Sequence, residues 1–386
     1  MSGKTQAEHG NDQRSDSRTH PGTSAVPRTN AMTRSLRVVQ WTTGRTGSAA
    51  VQALTGHPVL ELVGCYAHSP SKVGQDVGTL SGMDPIGLTA TDDVEELLGL
   101  RPDCVSYMPF RPDFDHLERI LSSGVNVVTT MYMLAGHGYG DTARARIREA
   151  ALRGGSSLYA SGIYPGHVPM MAMATTAMCR RIDCLSVLES LDVAGYRNEP
   201  MFRAMGFDLP TDDPEAPALV ERSCGSFRDQ IGVMAQALQV DLDGVRFSVE
   251  FAAANQTVDF GFMTLHQGNI AGFRGVVAGI VKGHSVIECR FVWKLGDDMT
   301  PNWPVTNGYV VDVEGDPSVS VHIGPPEGDF DGAVTTAMPC INAIPTVCAA
   351  PPGIVNQMDL PFVRGSYLIR PGPTATASPS LRPLTR

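Results

Sequence analysis

Short apolar runs alternate with amphipathic segments between residues 36 and 165. The runs are rich in β-branched residues and predict buried parallel strands, at 37–41, 60–67, 103–108, 125–130 and 157–160. The segments between them predict helices; in one, Phe114, Leu117 and Ile120 share one helical face. Strands and helices that alternate in this way predict a Rossmann-type, doubly wound parallel α/β sheet.

The pattern changes after Pro165. Residues 169–177 and 226–238 predict helices, whereas 192–203 and 208–217 predict loops. Strand-like runs separated by Gly and Asn dominate this region, at 182–191, 246–253, 260–267, 272–281, 285–295 and 308–313. We therefore expect an α+β domain with a largely antiparallel sheet, which would cover the mouth of a site in the first domain.

The first strand breaks into a glycine turn and then into an alanine-rich helix. Gly44 would let the backbone approach a pyrophosphate, Gly47 would let the helix pack close to the strand, and the helix N-terminus would bind phosphate. Thr42 stands where a GxGxxG fingerprint has its first glycine, so a turn that merely enters a helix is the alternative. We predict a dinucleotide site, with contacts from Thr43, Gly44, Arg45, Thr46, Gly47, Met108, Pro109 and Ile163.

The end of the second strand bears on the choice of dinucleotide. NAD-preferring Rossmann domains hold the ribose 2′-hydroxyl with an acidic residue at this position. Here the segment after the strand contains Ser69 and Lys72 and no carboxylate. A hydroxyl and an ammonium suit a 2′-phosphate better, so NADP(H) is predicted over NAD(H); the alternative is that Lys72 is a solvated loop residue.

These patterns divide the chain into five segments. They are a disordered leader (1–34), an NAD(P)-binding Rossmann domain (35–165), an α+β substrate and dimerisation domain (166–333), a C-terminal helix and tail that return to the first domain (334–365) and a disordered tail (366–386). The leader has almost no large apolar residues and lacks the apolar core of a signal peptide. It is a disordered leader or an over-called start, and in the second case Met32 is the initiator.

Composition narrows the functional class. The 386 residues are 42% hydrophobic, enough for a sizeable core, and the net charge of -10 disfavours a nucleic-acid partner. No apolar run reaches membrane-spanning length, and the eight cysteines form no CxxC pair, which indicates reduced thiols in a cytoplasmic protein. His266, His284 and His322 lack ligand spacing, so no metal site is expected.

Several stretches, in this order, resemble one family: RVVQWTTGRTG, HSPSKVGQDVG, SGVNVVTT, SGIYPGHVP, RRIDCLSVLES, MGFD, TTAMPCINAIPTVCAAPPGI and DLP. They are similar to the 2,4-diaminopentanoate dehydrogenase and native amine dehydrogenase group, whose nucleotide domain is like that of dihydrodipicolinate reductase. The resemblance runs from Leu36 to about Arg364. It implies NAD(P)-dependent hydride transfer to or from a carbon–nitrogen bond, and a homodimer whose second domain forms the interface and part of the pocket.

Two departures from the family pattern affect the chemistry. The amine dehydrogenases of the family carry a Glu pair in a pattern like NVxSxxEE, but here residues 126–133 contain no carboxylate. The family loop GINPGF is Gly162-Ile163-Tyr164-Pro165-Gly166-His167, so Asn has become Tyr and the aromatic residue has become His. The nucleotide half of the resemblance survives these changes, whereas the amine chemistry does not follow from it.

Hydride transfer also needs a proton donor near the substrate heteroatom. Tyr132 follows a parallel strand at the edge where such sheets bind ligands, and His167 would titrate near neutral pH, so both are candidate catalytic acids. A packed aromatic rim and an interface histidine bonded to a carbonyl are the respective alternatives. Substrate contacts are predicted from Tyr164, from His137 in a glycine-rich possible lid, and from Asn198.

Glu189 and Glu199 are the carboxylates of the second domain that could replace the lost acid. Glu189 alternates with apolar neighbours, and a solvated strand face is favoured over catalysis. The leading interpretation is an NAD(P)H-dependent oxidoreductase that transfers hydride to a C=N or C=O group of a small or medium apolar substrate. The alternative is a non-catalytic NAD(P)-binding sensor or scaffold. Dihydrodipicolinate reduction is disfavoured because the second domain lacks a basic cradle for a dicarboxylate.

Overall fold

The computed structural model describes residues 34–132, 138–325 and 331–369. The strands in these ranges are β1 (Leu36–Trp41), β2 (Leu60–Tyr66), β3 (Ala90–Thr91), β4 (Cys104–Tyr107), β5 (Asn126–Thr129), β6 (Ser157–Ala160), β7 (Arg181–Asp192), β8 (Gly244–Ala254), β9 (Val258–Asp259), β10 (Thr264–Leu265), β11 (Ile270–Val281), β12 (His284–Lys294), β13 (Met299–Thr300), β14 (Gly308–Asp316), β15 (Val319–Ile323) and β16 (Gly353–Val355).

The α-helices in the same ranges are α1 (Arg45–Leu54), α2 (Val77–Leu80), α3 (Val94–Gly99), α4 (Phe114–Ser122), α5 (Asp141–Gly154), α6 (Val168–Thr175), α7 (Glu199–Ala204), α8 (Ala216–Ser223), α9 (Gly225–Ala237) and α10 (Gly332–Val347). Shorter helical turns cover Ile163–His167, Thr176–Met178 and Ala194–Tyr196.

The first sheet has seven parallel strands in the order β16-β6-β5-β4-β1-β2-β3. Its central strands are apolar because helices cover both faces; Val38, Val39 and Val127 are fully buried. The chain order reverses between β1 and β4, so the crevice beyond the carboxyl ends of these two strands is where such a sheet binds ligands. The predicted doubly wound fold is confirmed.

The second sheet also has seven strands, in the order β13-β8-β11-β12-β7-β14-β15. All neighbouring pairs are antiparallel except β12 and β7, which are parallel. An aromatic cluster that includes Phe273, Phe291 and Trp293 fills the core on the side where α9 packs. The predicted α+β region with a largely antiparallel sheet is confirmed.

Helix α10 packs against α1 and against β5 in the first sheet. Ala337, Cys340, Ile341 and Ile344 are buried along its length, and the Cys340 thiol donates to the carbonyl of Thr129 over 3.4 Å. The chain then adds β16 beside β6. Residues after the second sheet therefore complete the first one.

Three local expectations are wrong. Residues 260–267 do not form one strand; a turn in which Asp259 accepts from Gly261 N separates β9 from β10. The predicted loop at 192–203 contains most of α7, which begins there because the Asn198 side chain caps it by accepting from Met201 N over 3.2 Å. The predicted loop at 208–217 overlaps the start of α8.

Candidate active site

The turn after β1 has the backbone of a dinucleotide fingerprint without its first glycine. Thr42 adopts a positive φ of 74°, which is uncommon for a β-branched residue. Two hydrogen bonds hold it there: Thr42 N donates to Tyr66 O over 3.0 Å, and its hydroxyl donates to Met108 O over 3.1 Å. Thr42 thus adopts a positive-φ backbone conformation that glycine usually supplies, and its two hydrogen bonds link the end of β1 to the ends of β2 and β4.

Gly47 fixes how closely α1 approaches this turn. A Cβ atom added at Gly47 would lie 2.1 Å from the Thr42 carbonyl oxygen, a distance that no side chain can occupy. Its predicted role in close packing of helix and strand is therefore visible in the geometry.

Gly44 and the start of α1 leave room for an anion. A Cβ at Gly44 would meet nothing within 4 Å, and φ is −74°, so space and not backbone strain distinguishes this position. No described side chain caps α1, and its first turn has no acidic residue. Unbonded N–H groups at a helix N-terminus, with open space before them, fit the diphosphate of a nicotinamide dinucleotide.

The loop after β2 places the ammonium group of Lys72 beside the same glycine turn. The Lys72 ammonium donates to the carbonyl and to the hydroxyl of Thr43, over 2.9 and 3.2 Å. The Ser69 and Ser71 hydroxyls lie 2.9 Å apart in a hydrogen bond. The structure thus brings Lys72 beside the turn residues, and Met108 joins them through Thr42. Ser69 lies in the same loop as Lys72, and its carbonyl accepts from Lys72 N over 2.8 Å. Pro109 follows Met108 at the end of β4.

A cavity of about 720 Å³ is lined by Arg45, the first residue of α1, and by residues of the second sheet. Its walls are mostly apolar and include Ile163, Leu191, Val193, Met201, Phe202, Met205 and Phe207. The Arg45 guanidinium lies 5.2 Å from the centre of the Tyr196 ring, which also lines the cavity. Of the predicted contacts, Arg45, Ile163 and Tyr164 meet in this cavity.

Glu189 lies in the cavity wall, and the expectation that it occupies a solvated strand face is wrong. Its exposed fraction is only 8%. Tyr309 Oη donates to its Oε1 over 2.9 Å, and Trp293 Nε1 donates to its Oε2 over 2.8 Å. Burial raises the pKa of the Glu189 carboxyl to about 7, against the lowering effect of the two hydrogen bonds. A carboxyl of this kind can both hold and release a proton near neutral pH.

Tyr132 is buried away from this cavity, in a cluster of three polar side chains. Its hydroxyl donates to Gln230 Oε1, while Gln357 Nε2 donates to the hydroxyl over 3.1 Å and to Gln230 Oε1 over 3.0 Å. Burial raises its pKa well above the usual value for tyrosine. Tyr132 is not among the residues that line the cavity.

The other predicted catalytic and substrate residues have different surroundings. His167 is partly buried outside the cavity lining, and burial lowers its pKa. Tyr164 lines the cavity, but its hydroxyl donates to the Val187 carbonyl over 3.1 Å. The Asn198 side chain is engaged in capping α7. His137 lies outside the described residues.

Within the described ranges, no cluster of three or more His, Cys, Asp or Glu side chains could hold a metal ion. All eight cysteines are free thiols, and six of them are buried. No helix in these ranges is long and apolar enough to cross a lipid bilayer.

Comparison with known proteins gives two family matches. Residues 168–368 match the 2,4-diaminopentanoate dehydrogenase C-terminal domain, and residues 38–130 match the dihydrodipicolinate reductase N-terminus. The second match also appears in single proteins: a 4-hydroxy-tetrahydrodipicolinate reductase of Neisseria gonorrhoeae is 30% identical over 113 residues, which cover 29% of this chain and 40% of that protein.

An amine dehydrogenase of Streptomyces virginiae is 31% identical over 353 residues, which cover 85% of this chain and 96% of that protein. A solved amine dehydrogenase structure from Mycobacterium smegmatis superposes with a TM-score of 0.70 at 22% identity, and the match covers 86% of this chain and 97% of that one. The structural match shows a shared fold. The sequence matches show more: the chain belongs to the 2,4-diaminopentanoate dehydrogenase family and is a nicotinamide-dependent oxidoreductase.

Proposed function

We propose that the protein reduces a C=N or C=O group of a small or medium apolar substrate with NADPH, inside the cavity between the turn after β1 and the second sheet. The observation that carries this proposal is the extent of the cavity. Its lining includes both Arg45, next to the open space at Gly44, and the buried carboxyl of Glu189. Cofactor and proton source would thus meet the substrate in one cavity.

When bound, a reduced nicotinamide supplies the hydride that such a reduction needs. The residues of this chain would do the rest. The N–H groups of α1 and the open space at Gly44 bind the diphosphate, and the apolar walls exclude water from the reacting carbon. The Arg45 guanidinium, held over the Tyr196 ring, would add a positive charge where the cavity adjoins α1.

We assign the preference for NADPH to Lys72. Its ammonium is held at the turn by Thr43, on the loop where a ribose 2′-phosphate would lie. Sequence positions 67–72 offer no carboxylate to a 2′-hydroxyl. A lysine in this place favours the additional phosphate charge by direct ionic hydrogen bonding.

The cavity lining favours substrates without a carboxylate. Among the described residues that line it, Arg45 is the one Lys or Arg, whereas Glu189 and Asp192 are acidic. A substrate acid near the second sheet would meet like charge. A volume of about 720 Å³ lies in the range of pockets for small-molecule ligands and suits a ring-sized ketone or amine.

A second function class, a non-catalytic NAD(P)-binding sensor or scaffold, is favoured by one observation: residues 126–133 lack the carboxylates that the family pattern has there. Such a protein would bind the dinucleotide and leave it unchanged.

Two measurements separate these functions. Nicotinamide fluorescence titration with NADPH and NADH tests binding, and we expect NADPH to bind at least tenfold more tightly. NADPH oxidation is then followed at 340 nm with a panel of aliphatic and aromatic ketones, with and without ammonia. Turnover supports the oxidoreductase, whereas tight binding without turnover on any member supports the sensor. Failure of both nucleotides to bind at high micromolar concentration would remove both functions.

A further inference from the structure

We propose that Glu189 is the acid–base residue of the cavity and that it binds the nitrogen of an amine or iminium substrate. This assignment rests on the proposed function, since it needs a substrate in the cavity. It places the acid on strand β7 of the second sheet, far along the chain from residues 126–133, where the family pattern has its glutamates.

The register of the second sheet puts the Glu189 side chain between two aromatic residues. On one side β7 pairs with β12, so that Glu189 is opposite Phe291; on the other it pairs with β14, so that Glu189 is opposite Tyr309. Val187 and Leu191, two residues away on β7, are on the same face of the sheet. The carboxyl group is thus fixed on a rigid element, on the face that lines the cavity.

Within the described part of the chain, the carboxyl group of Glu189 has hydrogen-bond donors and no ion-pair partner. Each oxygen accepts one hydrogen bond, from Tyr309 or from Trp293, which leaves acceptor capacity on both oxygens. No Lys or Arg of the described residues forms an ion pair with Glu189. A buried carboxylate without a counter-charge is costly, and a cationic nitrogen in the cavity would supply that charge.

Among the described residues, four titratable groups interact electrostatically with Glu189: Tyr164, Tyr196, Tyr309 and Cys224. Burial raises the pKa of each, so they do not change charge near neutral pH. Tyr309 Oη is therefore a hydrogen-bond donor to Glu189 throughout the working range. Glu189 alone among these groups can exchange a proton with a substrate at neutral pH. The charged residues Arg45 and Asp192 also line the cavity.

The proposed reaction uses ammonia and a ketone as co-substrates. Their addition product is a carbinolamine, R₂C(OH)NH₂. Protonated Glu189 gives its proton to the hydroxyl group, the C–O bond breaks, water leaves, and the nitrogen lone pair forms the C=N bond of R₂C=NH₂⁺. Glu189 is then a carboxylate beside this cation. Hydride addition to the carbon moves the C=N electron pair to nitrogen and gives the amine R₂CHNH₂.

Binding of cyclohexylamine to the NADP⁺-saturated protein, measured by calorimetry between pH 6 and 8, tests this assignment without requiring turnover. We expect affinity to rise with pH through about 7, because ionised Glu189 pairs with the ammonium. Glu189→Gln should weaken amine binding about 10- to 100-fold and remove this pH dependence, with NADP⁺ binding unchanged. Glu314→Gln, the same change at an exposed position of β14, is the matched control.

Tyr309→Phe distinguishes an acid–base group from a structural one. Because the Tyr309 hydroxyl favours the charged carboxylate, its loss should shift the midpoint of the pH dependence upward. Equal amine binding by Glu189→Gln and the parent, no amine binding by the parent, or an unshifted midpoint in Tyr309→Phe would overturn the assignment while leaving the proposed reduction in place. If the parent protein does not bind NADP⁺, the proposed function itself is overturned, and the assignment of Glu189 falls with it.

Discussion

Gly44→Asp separates cofactor binding from folding at the turn after β1. The position is exposed, its φ of −74° suits any residue, and an added Cβ meets nothing within 4 Å. Gly44 is also the N-cap of α1, where Asp is a better capping residue than Gly. The substitution should therefore fold normally while placing a negative charge where the diphosphate is expected.

The expected changes in the free energy of unfolding and in the affinity for NADPH both follow from the geometry. The improved cap stabilises the protein by a few tenths of a kcal/mol, so the change in the free energy of unfolding should stay within about 0.5 kcal/mol. A carboxylate about 4 Å from one phosphate charge repels it by roughly 1 kcal/mol in water and about 4 kcal/mol at a protein surface. The affinity for NADPH should consequently fall between about fivefold and a thousandfold.

The assay is NADPH fluorescence titration, paired with urea unfolding of the same samples. Gly44→Ala is the uncharged control, and it should lose less affinity than Gly44→Asp, with the difference shrinking at high salt. If Gly44→Asp binds NADPH as the parent does, the diphosphate is not at this turn, and the site must be sought elsewhere. If it fails to fold, the reasoning about open space at Gly44 is wrong.

Three further changes test neighbouring features. Gly47→Ala should lower the free energy of unfolding by about 1–3 kcal/mol in urea denaturation, because its Cβ would lie 2.1 Å from Thr42 O; Gly99→Ala, with nothing within 4 Å, should not. Lys72→Ala should weaken NADPH binding roughly tenfold in fluorescence titration and leave NADH binding unchanged, and equal losses would refute the 2′-phosphate role. Tyr132→Phe should cost about 1 kcal/mol of stability and leave kcat within about twofold, because Gln357 still donates to Gln230; a 10²- to 10⁴-fold loss of kcat would instead restore Tyr132 as the acid.

Most of the first sheet was predictable because short stretches of sequence encode its strands. Five of its seven strands are short apolar runs between turn signals, and these differ from the predicted strands by one or two residues at most. Strands β3, β13, β15 and β16 were not predicted. Each has at most five residues and pairs with the edge of a neighbouring strand, β2, β8, β14 or β6, and no pattern within the segment itself encodes that pairing.

The glycine turn was predictable for the same reason. Arg45, Ile163 and Tyr164 were predicted as contact residues, but the sequence alone could not show that they line one cavity, because packing brings Arg45 together with two residues more than 100 positions away in the chain. Tyr132 follows a parallel strand, as many catalytic residues do, but Gln230 and Gln357 enclose its hydroxyl. The domain boundaries, the homodimer and the cytoplasmic location stay predictions.

The prediction that Glu189 lies on a solvated strand face fails because it compares Glu189 with its immediate neighbour, the apolar Leu188. Side chains two apart share a face of a strand, however, and those residues are Val187 and Leu191. The period-two rule therefore groups Glu189 with the buried face, where the structure has it. A carboxylate whose neighbours on the same face of a strand are apolar is costly to bury unless a hydrogen-bond donor or a cation pairs with it. Such a residue is therefore a candidate site on sequence alone.

The partners that give Glu189 its chemistry could not be found in this way. Trp293 and Tyr309 are 104 and 120 residues away in the chain, and they reach the carboxyl only because β7 lies between β12 and β14. The two-residue alternation of side chains along β7 predicts that the Glu189 carboxyl is buried, whereas the order of the strands in the sheet decides which hydrogen-bond donors surround it. A protein of this fold with Glu at the same position but Phe in place of both donors would hold the carboxyl neutral to higher pH, because both hydrogen bonds favour the ionised form.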